Sequence, residues 1–167
     1  EVDEIDNINN VEVNDEYNDI KIKNLSDEEM TERLVGLGVS MEEIESKILS
    51  KEESHNAYLS KIIKVSGDYQ PTVGFYCSIE NINDRVLIKD VYSADLDKYY
   101  NEISKEFGGS LHYHLISDSQ IHFNLNGNFF DSGNTSALKE GTRMNFSVTN
   151  FGEKYKYVNI KDDIFLE

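Results

Sequence analysis

A single cysteine, Cys77, leaves the chain without an internal disulfide and removes the disulfide-stapled scaffolds, so stability must come from packing. Tryptophan is absent, which weakens a reading based on sugar stacking. No apolar run approaches the roughly 18 to 20 residues that cross a bilayer as a helix, so no membrane insertion is expected. Basic residues are scarce, 16 Lys and Arg against 32 Asp and Glu, giving a formal net charge of -16. Such a surface repels phosphate backbones and anionic headgroups and turns the expectation away from nucleic acid. What is present, across 167 residues, is 38% hydrophobic side chains with ten Tyr and eight Phe. That suffices for one main core, rich in residues that suit pleated sheets.

The first residue is Glu1 rather than Met, and the stretch that follows is dense in Asp, Glu and Asn. It resembles the polar spacer after a signal cleavage site, although a trimmed chain would look the same. The expectation is an extracytoplasmic protein, secreted or surface-attached, with a cytoplasmic one as the alternative. Residues 1–24 read as an acidic flexible arm without sustained periodicity. Alternation at Val11/Val13 and Ile20/Ile22 would suit a short edge strand. The acidic run Asp6 to Asp19 lacks the spacing of a calcium loop.

Residues 25–55 read as a short helical hairpin. Ser26 with Glu29 and Ser40 with Glu43 form two capping boxes, predicting helices over about 27–36 and 41–53, with Gly38 ending the first. A DNA-reading helix-turn-helix is disfavoured, because Glu42, Glu43, Glu45 and Glu52 would meet the phosphates with like charge.

From residue 56 to 167 a β-rich domain is expected. Strands are predicted near 59–65, 72–80 and 85–92, then a helix near 94–107 with Leu96, Tyr99, Tyr100, Ile103 and Phe107 on one face and Gly108-Gly109 as its stop. Strands resume near 110–116, 120–130, 142–150 and 155–165. The fold class is α+β and mostly antiparallel: an OB-like barrel, or a strongly curved sheet, of about six to seven strands with one covering helix, preceded by the helical hairpin.

The sharpest local constellation is His112-x-His114 followed by His122. Burying Leu111, Tyr113 and Leu115 together with Ile121, Phe123 and Leu125 requires Tyr113 opposite Phe123, through an odd loop such as Ser117-Asp118-Ser119. His114 then faces His122 and His112 faces Asn124, so three imidazoles could hold a zinc or copper ion. The competing reading is a solvated polar face. Cys77 alternates with Val73, Phe75 and Ile79, which makes it a core residue rather than a nucleophile. The segment from Gly127 to Gly133 lacks the Lys and helix cap of a phosphate loop. Phe129, Phe130 and Phe151, near predicted turns, are candidate partner anchors; the favoured alternative is that they fold back on the barrel end.

No catalytic constellation emerges. The leading expectation is a non-enzymatic binding or interaction module, with a protein partner preferred over a small molecule. The alternatives are an acidic inhibitor or immunity-type protein that fills a basic cleft, and a metal-binding protein built on the histidines.

Overall fold

The computed structural model describes residues 12–15, 18–49 and 55–166. Alternation of apolar and polar residues sets most of its elements. The strands are β1 (Glu12–Asp15), β2 (Asn18–Leu25), β3 (His55–Ile62), β4 (Thr72–Ile82), β5 (Arg85–Asp97), β6 (Tyr99–Tyr100), β7 (Ile103–Ser104), β8 (Glu106–Ser117), β9 (Gln120–Phe130), β10 (Asn134–Glu140), β11 (Arg143–Thr149) and β12 (Lys154–Phe165). Between β2 and β3 lie helix α1 (Asp27–Gly36) and helix α2 (Met41–Ile44), the latter continuing into a π-helical turn over Glu45–Leu49. Among the described residues no helix is long and apolar enough to cross a membrane.

The strands form three open antiparallel sheets: a first sheet in the order β1-β2-β3-β4-β5, a second in the order β10-β11-β8-β9-β12, and the small β6-β7 hairpin. An α+β domain is therefore correct, but the barrel is not. A closed barrel has no edge strand, whereas β1, β5, β10 and β12 each end a sheet here. A curved sheet of six to seven strands is likewise replaced by two five-stranded sheets. These meet face to face through Phe75 of β4, whose ring lies 5.8 Å from Tyr113 and 5.5 Å from Phe123 on the second sheet.

The helix expected over 94–107 does not form. Ala94 and Leu96 also alternate at period two, and they complete β5 by pairing with Phe75 and Val73. Asn101 and Glu102 then take positive φ (53° and 67°) and close the β6-β7 turn. The same left-handed pair recurs at Asn83 and Asp84 between β4 and β5, the two-residue turn whose twist matches that of paired strands. Gly108 and Gly109 therefore stop no helix and lie within β8. Gly109 pairs with Gly127, and the Phe107 ring lies over the pair, about where either Cβ would stand.

The helices do not precede the sheet as a hairpin. They are an excursion between β2 and β3, which pair with each other. The N-terminal segment from Asn18 onward is itself a strand, with Ile20 and Ile22 buried; residues 1–11 of the expected arm lie outside the described residues. α1 carries the complete Ser26/Glu29 capping box and ends at Gly38 with φ 87°. In α2 Ser40 accepts from the Glu43 amide at 3.1 Å, but the Glu43 carboxylate turns away to Lys139 of β10 at 2.7 Å. Lys139 holds that carboxyl below the usual range. Tertiary charge pairing thus displaces half of the second capping box. The expected helix end, 50–53, lies outside the described residues. β10 was hidden in the sequence as a presumed polar turn, since only Ala137 and Leu138 along it are apolar.

Substitution of the two glycine classes tests this packing. A Cβ on Gly127 would stand 2.3 Å from the Gly108 carbonyl oxygen and 2.8 Å from Gly109 Cα, whereas one on Gly36, in α1, meets nothing within 4 Å. Gly127→Ala is expected to lower stability by about 1–3 kcal/mol, and Gly36→Ala to raise it by up to about 1 kcal/mol, both read from urea denaturation midpoints.

Candidate functional site

Inward-facing Leu111, Tyr113, Ile121, Phe123 and Leu125 are buried, so their alternate neighbours line the outer face of the second sheet. The register sets these neighbours in cross-strand rows. Tyr157 stands beside Asn128; Asn159 beside Asn126, Ser110 and Asn145; Lys161 beside Asn124, His112 and Arg143; and Asp163 beside His122 and His114. Side chains on neighbouring strands are spaced by about 5 Å, so each row is a continuous polar track.

Lateral hydrogen bonds fix the tracks. Asn124 Nδ2 donates to Asn159 Oδ1 at 2.8 Å, and the Tyr157 hydroxyl donates to Asn126 Oδ1 at 2.7 Å. Asn145 Nδ2 and Arg143 Nη2 both donate to Glu140 Oε1. The other end of each of these amides makes no hydrogen bond among the described residues. Asn128 Oδ1 and Arg143 Nε, both on this face, are shielded from solvent and have no hydrogen-bond partner among the described residues. The fixed charges in the rows cancel: Lys161 and Arg143 against Asp163 and Glu140. At one end Phe130 stacks on Phe151 with ring centroids 4.7 Å apart, and Phe151 remains 58% exposed.

The histidines expected to gather do share this face, with Tyr113 opposite Phe123, His114 opposite His122 and His112 opposite Asn124. The turn is Asp118-Ser119 alone; the odd residue is taken up by an irregularity between Leu115 and Ser117. A zinc or copper site is nevertheless overturned, for among the described residues no group of three or more His, Cys, Asp or Glu is placed to hold a metal ion. His122 Nδ1 is engaged by Asp163 Oδ1 at 3.0 Å, and His112 lies beside the fixed cation of Arg143. Of the three candidate anchors, Phe129 points inward and is fully buried against Phe107 and Tyr69, while Phe130 and Phe151 stay at the surface end. Cys77 is buried, and burial pushes its thiol up, away from nucleophilic use. Apart from Asn124, placed opposite His112, the asparagines of the face escaped the sequence reading, although His122, Asn124, Asn126 and Asn128 alternate visibly along β9.

The outer face of the first sheet carries a cleft of about 460 Å³, lined among others by Arg33 of α1, Tyr58, Tyr76 and Asp95. Gly74 makes room for the Tyr58 side chain that lines it, since a Cβ there would lie 2.0 Å from the Tyr58 ring and hydroxyl. The Asp95 carboxyl is raised above the usual carboxylate range chiefly by burial, aided by Asp97 and opposed by the Leu96 amide, Lys98 and Arg33. The sequence reading had assigned Asp95 to a helix and so missed this site.

A raised folded-state value means that the native protein holds this proton more tightly than the unfolded chain does. The penalty is absent below the ordinary Asp value of about 3.9 and complete once the pH exceeds the raised one, so stability falls as pH rises through that window. Asp95→Asn should therefore raise Tm by roughly a few degrees at neutral pH and by nothing near pH 3, as thermal denaturation at the two pH values will show. No family model matches this chain, and neither the curated proteins nor the solved structures contain a match.

Proposed function

We propose that this protein is a non-enzymatic binding module, working outside the cytoplasm, whose outer second-sheet face takes a neutral, hydroxyl-rich chain such as a polysaccharide. The observation that carries this reading is the uncharged row Asn159–Asn126–Ser110–Asn145 crossing four strands of a chain with net charge -16. Amides held sideways by neighbouring strands present paired donors and acceptors without ordering cost on binding, which suits vicinal hydroxyls. Strands lie about 4.8 Å apart, comparable to the length of one sugar residue, so a chain crossing the strands meets one polar group per ring. Tyr157, one row along the strands from this track, and Phe130 with Phe151, at the far end of β9, supply apolar faces on the same surface, the role usually given to tryptophan.

A neutral polymer brings no charges that this face would have to answer. A typical protein surface, with about a quarter or more of its residues charged, fits less well than the sequence alone suggested. The inhibitor reading calls for carboxylates gathered on one surface. Among the described residues they are spread over helix starts, turns and strand ends, for example Asp27, Glu28, Glu45, Glu80, Asp84 and Glu153.

Affinity electrophoresis of the full chain in gels containing β-glucan, xylan, mannan or starch tests the proposal. At least one polysaccharide is expected to retard the protein. Asn126→Ala and Tyr157→Ala should each weaken that retardation by about five- to thirty-fold, the equivalent of 1–2 kcal/mol per lost contact. Retardation by none of them, or equal retardation of the variants, overturns the reading.

A further inference from the structure

The cleft on the first sheet is a separate site from the polar face, and its lining carries both signs, Arg33 and Lys98 against Asp95 and Asp97. Lys98 is answered by Glu106 at 3.6 Å. Arg33 has no ion-pair partner among the described residues. Its guanidinium hydrogen-bonds the Tyr76 hydroxyl, while Glu29, one turn back along α1, lends only its field. That contact leaves most of its five donors free. Across the cleft, Asp95 and Asp97 lie two residues apart on one face of β5, opposite Gly74 and Thr72. Each carboxylate uses one oxygen locally, Asp95 on the Leu96 amide at 2.8 Å and Asp97 on the Tyr99 amide at 3.2 Å. The rings of Tyr58 and Tyr76, with centroids 4.6 Å apart, form an aromatic wall between the two signs.

A simple anion on Arg33 would face two carboxylates, and a simple cation on Asp95 and Asp97 would face the guanidinium. Only a ligand bearing both charges satisfies both ends. We propose that this cleft binds a small zwitterion, a free α-amino acid. Its carboxylate takes the Arg33 fork and its ammonium takes Asp95 and Asp97 against the tyrosine faces. The volume of about 460 Å³ accommodates a molecule of that size. Asp95 is half-buried, and among the described residues no lysine or arginine pairs with it within ion-pair distance, which fits a residue retained for binding rather than for stability. This inference stands apart from the polysaccharide reading and survives its failure.

The test is a titration of the isotopically labelled full chain with the common free L-amino acids at millimolar concentration, followed by amide chemical shifts. At least one should give saturable shifts at Arg33, Tyr58, Tyr76 and Asp95 that leave Asn126 and Asn159 unmoved. Its N-acetyl derivative and its methyl ester should each bind about tenfold or more weakly, the loss of one charge-assisted contact. Arg33→Gln should weaken the free amino acid to a similar degree yet leave the affinity for the ester unchanged, because the contact removed is the one that the ester already lacks. Arg33 is exposed on its helix, so this variant keeps the fold, and unchanged shifts on the second sheet confirm it. No saturable shift in the cleft with any amino acid overturns the proposal, as does a ligand whose blocked forms bind equally well. A ligand weakened by one block alone also overturns it, in favour of a simple anion or cation site.

Discussion

Phe75 stands between Tyr113 and Phe123, and with them the inner faces of two open sheets become one interior. Every strand that reaches this contact must present its apolar row inward, because a slip of one residue would send the whole row to solvent. The constraint runs outward from there. It pairs His114 with His122 and Asn126 with Asn159, none of which is held by an interaction strong enough to choose its own register. Polar side chains on the far side of the second sheet are therefore passengers of the aromatic core, and their order is as fixed as that of the core itself.

The two outer faces have different fates for the same reason. On the first sheet, α1 and α2 rise between β2 and β3, and they are tied down at Asn56 with Asp27, at Tyr92 with the Lys47 carbonyl, and at Glu43 with Lys139 of the second sheet. That cover is partial, and where it ends the Tyr58 ring lies over the missing side chain of Gly74, leaving a cleft. Among the described residues the second sheet carries no such cover, and its amides, hydroxyls and imidazoles face outward in rows. A chain with so large an excess of carboxylates could have placed them on this broad surface. Among the described residues many of them stand at helix starts, turns and strand ends, where water and local donors solvate them and repulsion is least.

Backbone irregularities mark where the regular pattern yields. β5 shifts register against β4 between Tyr76 and Cys77 and again between Ser78 and Ile79, so that Ala94 and Leu96 at its far end face the interior while Asp95 faces the cleft. A half-buried carboxylate at that position is the local opposite of a stability choice. β8 shifts between Leu115 and Ser117, which lets a two-residue turn serve a hairpin that period-two alternation would otherwise give an odd loop.

Local chemistry alone determined a good part of this protein. The Ser26/Glu29 box starts α1 and Gly38 ends it, the alternation around Tyr113 and Phe123 sets the β8-β9 register, and the Val73–Ile79 alternation buries Cys77. The fate of residues 94–107 was beyond local reading, because Leu96, Tyr99, Ile103 and Phe107 satisfy a helical period while Ala94 with Leu96, and Phe107 with Leu111 and Tyr113, also satisfy a strand period. Only pairing with Val73 and Phe75, distant in sequence, decides between them. β10 was illegible because its strand character comes from its partner β11 rather than from apolar residues of its own. Sheet closure and the choice of neighbouring strands are likewise tertiary. So is the meeting of Arg33 with Asp95, since side chains from α1, β3, β4 and β5 come together only after the interior has packed. Periodicity specifies which way a side chain points; which others it meets depends on strand order, and that is settled by the burial of surfaces far apart along the chain.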